Sequence, residues 1–203
     1  MKKQVWKNYF DIVILPPKEV SDYARKLSKE FSIYGTEWTL GENSFIPHIS
    51  LYHIAVKPKN FDSFVSEVKR TIKEFKPGNL QTTIIEPTLL MFDKPKWIKT
   101  LHITIIKNTL KYYDRDYGTE DFWSLSYLPQ KTRKARVRFI KKYGTPAMGS
   151  NFRPHVTLTS FKGKTPELKI RKAKLFRFKP RYLYVCELGP SHSCQRIVKK
   201  LSF

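Results

Sequence analysis

A seven-residue phrase occurs twice in the chain and constrains its fold more than any other feature. The first copy is FIPHISL at positions 45–51, and the second copy is FRPHVTL at positions 152–158. In an extended strand, residues i and i+2 point to the same face, so each copy places an imidazole and a hydroxyl side by side. The repeat therefore predicts two similar halves, each with one strand that carries a His-x-Ser/Thr pair. Two such pairs facing each other would suit acid–base chemistry on a phosphate.

The charge of the chain favours a polyanionic partner. Its 203 residues carry a formal net charge of +22, which favours nucleic acid over a membrane surface. The alternative is that the lysines only form well-solvated faces. With 40% hydrophobic residues the chain can build a core, as one large domain or as two small lobes.

The cysteines and the apolar runs predict a cytoplasmic protein. The two cysteines, Cys186 and Cys194, are too few for a disulfide framework, although the sequence is compatible with a single disulfide between them. Asp11 interrupts the first apolar run, and neither a secretory signal nor a stretch of the roughly 20 apolar residues of a membrane span is found. We expect no membrane association.

Hydrophobic periodicity predicts a mixture of helices and strands without a strict alternation. Helices are expected over 18–31, 61–75 and 131–143, and strands over 9–15, 46–56, 81–85, 89–92, 170–178, 182–188 and 197–203. Residues 114–127 are expected to form a loop. No obvious linker divides the chain. The best interpretation is an α+β fold with antiparallel sheets.

The segment 97–113 fits two patterns. Its apolar residues fit one face of a helix over four turns, and a shorter subset fits one face of a strand. The length of the first pattern favours the helix.

The chain has three further histidines, for which we expect no catalytic role. The sequence His102-Ile103-Thr104 lacks the proline and the leucine of the repeated phrase, so a structural role is favoured for His102. In a regular strand, His53 would point away from His48, because the two residues are five positions apart. His192 lies in a segment expected to form a turn.

The two Pro-His-x-(Ser/Thr)-Leu phrases resemble those of the two-histidine (2H) phosphoesterase superfamily, and most closely its 2′-5′ RNA ligase or LigT-like branch of RNA 2′,3′-cyclic phosphodiesterases. The strand over 10–15 with its following helix, the approach to the second phrase at 143–144 and the segment 184–189 are also similar to that family. The resemblance covers most of the chain, but only the two phrases are specific.

The resemblance implies one bilobal domain over residues 1–203, with two pseudo-symmetric lobes around a central cleft and helices outside. It makes His48 and His155 the catalytic residues, and it assigns Ser50 and Thr157 to the phosphate oxygens. It implies neither a metal nor another cofactor, and the sequence has no cluster with metal-ligand spacing.

The chemistry of these residue types is consistent with opening a cyclic phosphate. The reference pKa of histidine, about 6.5, allows one imidazole to accept a proton while the other donates one. In the family the second histidine is the base for hydrolysis and the first is the acid, but the sequence alone leaves these roles open. Ser50 stands where the family more often has threonine, which keeps the hydroxyl but loses the methyl that restricts χ1.

Other residues are expected to contact the substrate. Arg153 and Tyr52 are candidates for substrate binding, and Tyr52, Phe152 and Trp123 are candidates for stacking on a base. The basic segments 131–142 and 162–181 suit an RNA longer than a mononucleotide, although both also fit solvated surfaces.

The sequence leaves three functional hypotheses. The first is a metal-independent phosphoesterase that opens 2′,3′-cyclic phosphate RNA ends to 2′-phosphates, with 2′-5′ ligation as a second activity when a ribose hydroxyl takes the place of water. The second keeps the site but takes cyclic or 2′-5′-linked oligonucleotides. The third is an RNA-binding protein without catalysis. A monomer is expected in each case.

Overall fold

A computed structural model of the chain describes residues 7–41, 44–117, 125, 128–163 and 165–203. The described α-helices are α1 (Lys18–Phe31), α2 (Phe61–Lys73), α3 (Lys96–Thr109) and α4 (Gln130–Tyr143). The described strands are β1 (Tyr9–Ile14), β2 (Ile49–Ala55), β3 (Leu80–Glu86), β4 (Leu89–Phe92), β5 (His155–Thr157), β6 (Arg171–Lys172), β7 (Arg177–Phe178), β8 (Tyr182–Gly189) and β9 (Ser193–Ser202).

The strands form two antiparallel sheets. The first sheet has the order β2-β1-β8-β9, and the second has the order β5-β4-β3-β6, with β7 also paired to β3. The last two strands of the chain thus complete the sheet that begins with β1. The strands that carry the repeated phrase, β2 and β5, each lie at an edge of their sheet.

The helices connect the two sheets. Helix α1 follows β1 of the first sheet, yet its Tyr23 packs on Phe176, beside β7 of the second sheet, with 5.3 Å between the ring centroids. Helix α3 follows β4 of the second sheet and contacts α2 and β2 on the side of the first sheet. Each sheet is therefore covered in part by a helix that follows a strand of the other.

Segment 97–113 shows why periodicity sustained over several turns favours a helix. Helix α3 (Lys96–Thr109) covers most of this segment, so the helical prediction is confirmed. The side chains of Ile98, Leu101, Ile105 and Ile106 are fully buried, and their spacing places them on one face of the helix.

The prediction of one continuous strand over 170–178 is wrong. Only the two-residue strands β6 and β7 form there, because the side chain of Thr82 on β3 interrupts the ladder. The Oγ1 of Thr82 donates a hydrogen bond to the carbonyl of Lys174 at 2.6 Å and accepts one from the backbone N–H of Phe176 at 2.9 Å.

The thiols of Cys186 and Cys194 are free and buried, so no disulfide joins them. Among the described residues, no helix is both long enough and apolar enough to cross a membrane.

His102 holds α3 against the first motif strand. Its Nδ1 donates a hydrogen bond to the carbonyl of Leu51 at 2.7 Å, and its ring stacks on Phe152 with 4.1 Å between centroids and 8° between planes. Burial lowers the pKa of His102 to about 4, so the imidazole is neutral near pH 7. These contacts agree with the structural role expected for this histidine.

We predict that His102 lowers the stability of the protein as the pH falls below about 6.5. Since its pKa is about 4 in the folded state and about 6.5 when unfolded, the unfolded state binds the extra proton between these values. Stability is therefore lost as the pH falls from about 6.5 towards 4. Between pH 7 and pH 5 this residue should account for a loss of about 2 kcal/mol in the free energy of unfolding, and His102→Leu should remove that share, as measured by urea unfolding.

Phe152→Leu is the matched control, because it disturbs the same stack without removing a titrating group. It should lower stability by a similar amount at both pH values. An unchanged pH dependence in His102→Leu would contradict the assignment.

Candidate active site

The structure brings the two halves of the repeat together at one cavity. Edge strands β2 and β5 contact each other, and His48, Ser50, His155 and Thr157 all line a cavity of about 310 Å³. His155 and Thr157 belong to β5, which pairs with β4 through Met91↔His155 and Leu89↔Thr157. Ser50 pairs across β2 and β1 with Val13.

Both motif histidines are oriented by the same local hydrogen bond. The Nδ1 of His48 lies 2.7 Å from the carbonyl oxygen of Ile46, and the Nδ1 of His155 lies 2.6 Å from the carbonyl oxygen of Arg153. A carbonyl only accepts hydrogen bonds, so Nδ1 carries a proton in both rings. The Nε2 atom of each neutral ring is then left with its lone pair for proton transfer.

The surroundings lower the pKa of both histidines, but not symmetrically. For His155, burial is the main cause, and the charges of His48, Arg153 and His53 lower its pKa further. For His48, burial again dominates, but the carboxylate of Asp11 acts in the opposite direction and raises its pKa.

Asp11 is a fully buried carboxylate at the centre of the first half of the site. Its Oδ2 lies 3.0 Å from the Nε2 of His53 and 3.6 Å from the Nε2 of His48, and it accepts a hydrogen bond of 2.6 Å from the Oγ of Ser50. Burial by itself would raise the pKa of Asp11. The two histidines and the serine outweigh burial, so the pKa lies below its ordinary value.

The expectation that His53 points away from His48 is wrong. The pairing of β1 with β2 shifts register between Ile12↔Tyr52 and Val13↔Ser50, which leaves Leu51 as an extra residue in β2. Such a bulge changes the phase of a strand by one residue. His48 and His53 lie on opposite sides of Leu51, so the bulge places on one face two residues that would face opposite ways in a regular strand. His53 therefore reaches Asp11 and lines the cavity.

His192 also lines the cavity, from the turn between β8 and β9. Ser191 and His192 both have left-handed backbone conformations there, with φ of 57° and 56°. The ring of His192 lies 5.4 Å from that of His53 and 6.0 Å from that of Tyr9. Burial lowers its pKa to about 3, so His192 is neutral near pH 7.

The two motif hydroxyls differ in their surroundings. The hydroxyl hydrogen of Ser50 is directed at Asp11, so this oxygen presents lone pairs to the cavity. A hydrogen bond from Ser50 to a phosphate would require it to leave Asp11. Thr157 lines the cavity at a position where β5 is partly exposed.

The other residues proposed to bind substrate have different environments. Arg153 lines the cavity, is exposed and forms an ion pair with Glu86. Tyr52 is 1% exposed, and its hydroxyl donates a hydrogen bond to the carbonyl of Tyr143 at 2.6 Å. Its ring therefore has little accessible surface on which a nucleobase could stack. Phe152 is occupied by its stack with His102. Trp123 lies outside the described residues.

Sequence reasoning missed an aromatic wall of the cavity. The rings of Trp38 and Phe45 stack with 5.0 Å between centroids and 21° between planes, and both line the cavity. Phe45 is the first residue of the repeated phrase, but Trp38 belongs to no motif. Sequence reasoning also gave no role to Asp11. The feature of the sequence that could have identified it is a single acidic residue within an otherwise apolar strand.

Within the parts of the chain that the structure describes, no group of three His, Cys, Asp or Glu side chains is arranged to hold a metal ion.

Comparison with known proteins identifies the fold. No model of a known protein family matches the chain, and no curated protein matches its sequence. TT0787 of Thermus thermophilus superposes with a TM-score of 0.62 at 13% identity, over 96% of this chain and 97% of that one. LigT of E. coli complexed with 3′-AMP has a TM-score of 0.59 at 10% identity, over 97% of this chain and 98% of that one.

The chain has the fold of LigT. A protein described as a phosphoesterase is similar as well, with a TM-score of 0.55 at 9% identity over 97% of this chain and 98% of that one. The predicted α+β fold with two lobes of antiparallel sheet is confirmed by these superpositions and by the sheet topology.

We predict that neutral His48 and His155 both carry their proton on Nδ1. Since their pKa values lie below the ordinary 6.5, both rings should be neutral at about pH 8. Long-range ¹H–¹⁵N spectra of ¹⁵N-histidine-labelled protein should then show protonated Nδ1 and bare Nε2 for both residues. The variants His48→Asn and His155→Asn assign the signals, and a proton found on Nε2 of either ring would contradict the orientation described above.

Proposed function

We propose that the protein is a metal-independent phosphoesterase that opens 2′,3′-cyclic phosphate ends of RNA to 2′-phosphates. The observation that carries the proposal is the convergence of two His-x-Ser/Thr pairs on one cavity. Each histidine is held by a backbone carbonyl through Nδ1, which leaves Nε2 for proton transfer. This arrangement supports a catalytic role over RNA binding alone.

The proposed reaction needs one proton acceptor and one proton donor on opposite sides of the phosphorus. The Nε2 of one histidine takes a proton from water as the water oxygen forms a bond to phosphorus. The bond from phosphorus to the ribose O3′ breaks, and the other histidine gives its proton to O3′. The products are a 2′-phosphate and a 3′-hydroxyl. With a ribose hydroxyl in place of water, the same geometry would support 2′-5′ ligation.

The neighbours in fold support a nucleotide in the cavity. Structures of E. coli LigT have been solved as complexes with 3′-AMP, with phosphate and with NADP⁺. The cavity of about 310 Å³ lies at the small end of the range for small-molecule sites. A single terminal nucleotide suits it, with the stacked rings of Trp38 and Phe45 available to the base.

The basic helix α4 supports a longer RNA as substrate. It carries seven basic residues and no acidic one. The exposed members are Lys131, Arg133, Lys134, Arg138, Lys141 and Lys142. Beyond its last residue the chain contributes Thr145, Ala147 and Asn151 to the wall of the cavity. A strand whose end lies in the cavity can therefore meet α4 with its phosphates.

We predict that His48→Ala and His155→Ala each lower turnover of an RNA with a 2′,3′-cyclic phosphate end by at least about 100-fold, because each removes one proton-transfer group. Turnover is measured by the appearance of the 2′-phosphate. Circular dichroism and thermal unfolding should show that both variants keep the fold.

A panel of substrates distinguishes the hypotheses. It contains the cyclic phosphate end, 2′-5′-linked oligoadenylate, a cyclic dinucleotide, and a pair of RNA ends that can be ligated. If the protein turns over another member of the panel and not the cyclic phosphate end, and if both histidine variants lose that activity, the site is correct but the substrate is different. RNA binding without turnover of any member would contradict the proposal.

We predict that α4 contributes to binding of RNA but not of a mononucleotide. The triple variant Lys131→Gln, Lys134→Gln and Lys141→Gln should weaken binding of a single-stranded RNA and lower the slope of log K against log salt by about 2, since each lost phosphate contact removes about 0.7. Fluorescence anisotropy over a salt series measures both quantities.

The matched control is Lys69→Gln, Lys73→Gln and Lys76→Gln, which removes the same charge from exposed positions on and just beyond α2. This helix supplies no residue to the cavity. Equal losses in the two triple variants would mean that net charge alone, and not α4, attracts the RNA.

A further inference from the structure

The two halves of the site are not electrostatically equivalent, although the repeated phrase makes their catalytic residues look alike. Asp11 lies two residues before the cross-strand partner of Ser50. The matching position in the second half, two residues before the cross-strand partner of Thr157, is Pro87. The first half therefore contains a carboxylate at a position where the second half has a residue without an ionisable side chain.

The geometry of Asp11 suits interaction with a charged His48. The distance of 3.6 Å from its Oδ2 to the Nε2 of His48 is too long for a hydrogen bond but short for an ionic attraction. The carboxylate is fully buried and the imidazole is 11% exposed, so solvent screens the pair weakly. The Nε2–H of His48 also remains free of a close acceptor and available to a leaving oxygen.

The surroundings of His155 have the opposite character. Arg153, two residues before His155, forms an ion pair with the carboxylate of Glu86. The charges that act on His155 are those of His48, Arg153 and His53, and all three disfavour a second positive charge. When an anionic phosphodiester enters the cavity and a proton is taken up, His48 is the better place for it.

We propose that Asp11 is a positioning residue that fixes the division of labour, by making His48 the general acid and leaving His155 as the general base. This inference rests on the proposed function, because the roles have meaning only for that reaction. It adds a residue outside both copies of the repeated phrase.

Other titratable and charged groups surround Asp11 and His48 and can affect the pH dependence that the experiments measure. They are His53 on β2, Tyr9 on β1, Cys186 on β8, His192 in the turn between β8 and β9, and His155 with Arg153 across the cavity. His53 shares Oδ2 of Asp11 with His48, and its charge lowers the pKa of His48. His192 is neutral near pH 7 because burial lowers its pKa to about 3, so it adds no positive charge beside Asp11.

The central experiment is Asp11→Asn, which removes the charge and keeps an oxygen that can accept the hydrogen bond from Ser50. A general acid must be protonated, so activity falls as the pH rises through its pKa. Without the carboxylate this alkaline limb of the pH profile of kcat/KM should move to lower pH by about one unit. The acidic limb, which reports the base, should stay in place.

Two further variants separate charge from structure. Ser50→Ala removes the hydrogen bond to Asp11 but keeps the carboxylate, so its alkaline limb should stay where it is in the wild type, whatever its turnover. His53→Gln removes the imidazole whose charge lowers the pKa of His48 and keeps an amide donor near Asp11, so its alkaline limb should move to higher pH. Opposite shifts from Asp11→Asn and His53→Gln are not expected from a purely structural role.

Histidine titrations by NMR test the same idea without substrate. In the wild type, His48 should titrate at higher pH than His155. In Asp11→Asn the midpoint of His48 should fall, and in His53→Gln it should rise. If Asp11→Asn does not fold, the wild-type order and His53→Gln decide the question.

The outcomes distinguish a failure of the proposed function from a failure of the role of Asp11. A wild-type protein that turns over none of the substrates counts against the proposed function, and the NMR titrations then test the effect of Asp11 on their own. Turnover with an alkaline limb that does not move in Asp11→Asn would overturn the inference. A His48 midpoint below that of His155 in the wild type would also overturn it.

Discussion

The contact between the edge strands β2 and β5 is the constraint on which the rest of the site depends. An edge strand has a neighbour on one side only, so its other side is open to a partner from elsewhere in the fold. Here each sheet places its motif strand at the edge that meets the other sheet. The two imidazole–hydroxyl pairs converge for this reason, although they are far apart in the chain. The helices α1 and α3 hold the arrangement by packing across the two halves.

The sequence predicted the parts of the site that depend on local pattern. The repeated phrase located both histidines and both hydroxyls, because a period of two in a strand needs no knowledge of the rest of the fold. Helices α1, α2 and α3 were found for a similar reason, since their apolar residues recur over three or four turns. Even the ambiguous segment 97–113 was resolved correctly by the length of its helical pattern.

The residues that were missed depend on features that a single segment does not contain. His53 was placed on the wrong face because the bulge at Leu51 arises from pairing with β1. Asp11 could be seen as an anomaly in an apolar strand, but its partners come from β2. The break in the strand expected over 170–178 comes from one side chain, Thr82, on a strand almost a hundred residues earlier. Each error thus traces to a contact between distant segments.

The hydrogen bond from Tyr52 to the carbonyl of Tyr143 has a consequence for how α4 relates to the cavity. It joins the last residue of the basic helix to the strand that carries Ser50, through a hydroxyl that is shielded from water. Just after this carbonyl the backbone turns sharply at Gly144, where φ is +76° and a side chain would meet the ring of Tyr113. The basic helix α4 and the motif strand β2 are therefore joined at a fixed spacing. If the proposed RNA substrate contacts α4, this spacing would determine how many nucleotides lie between the phosphates at α4 and the phosphate that reacts.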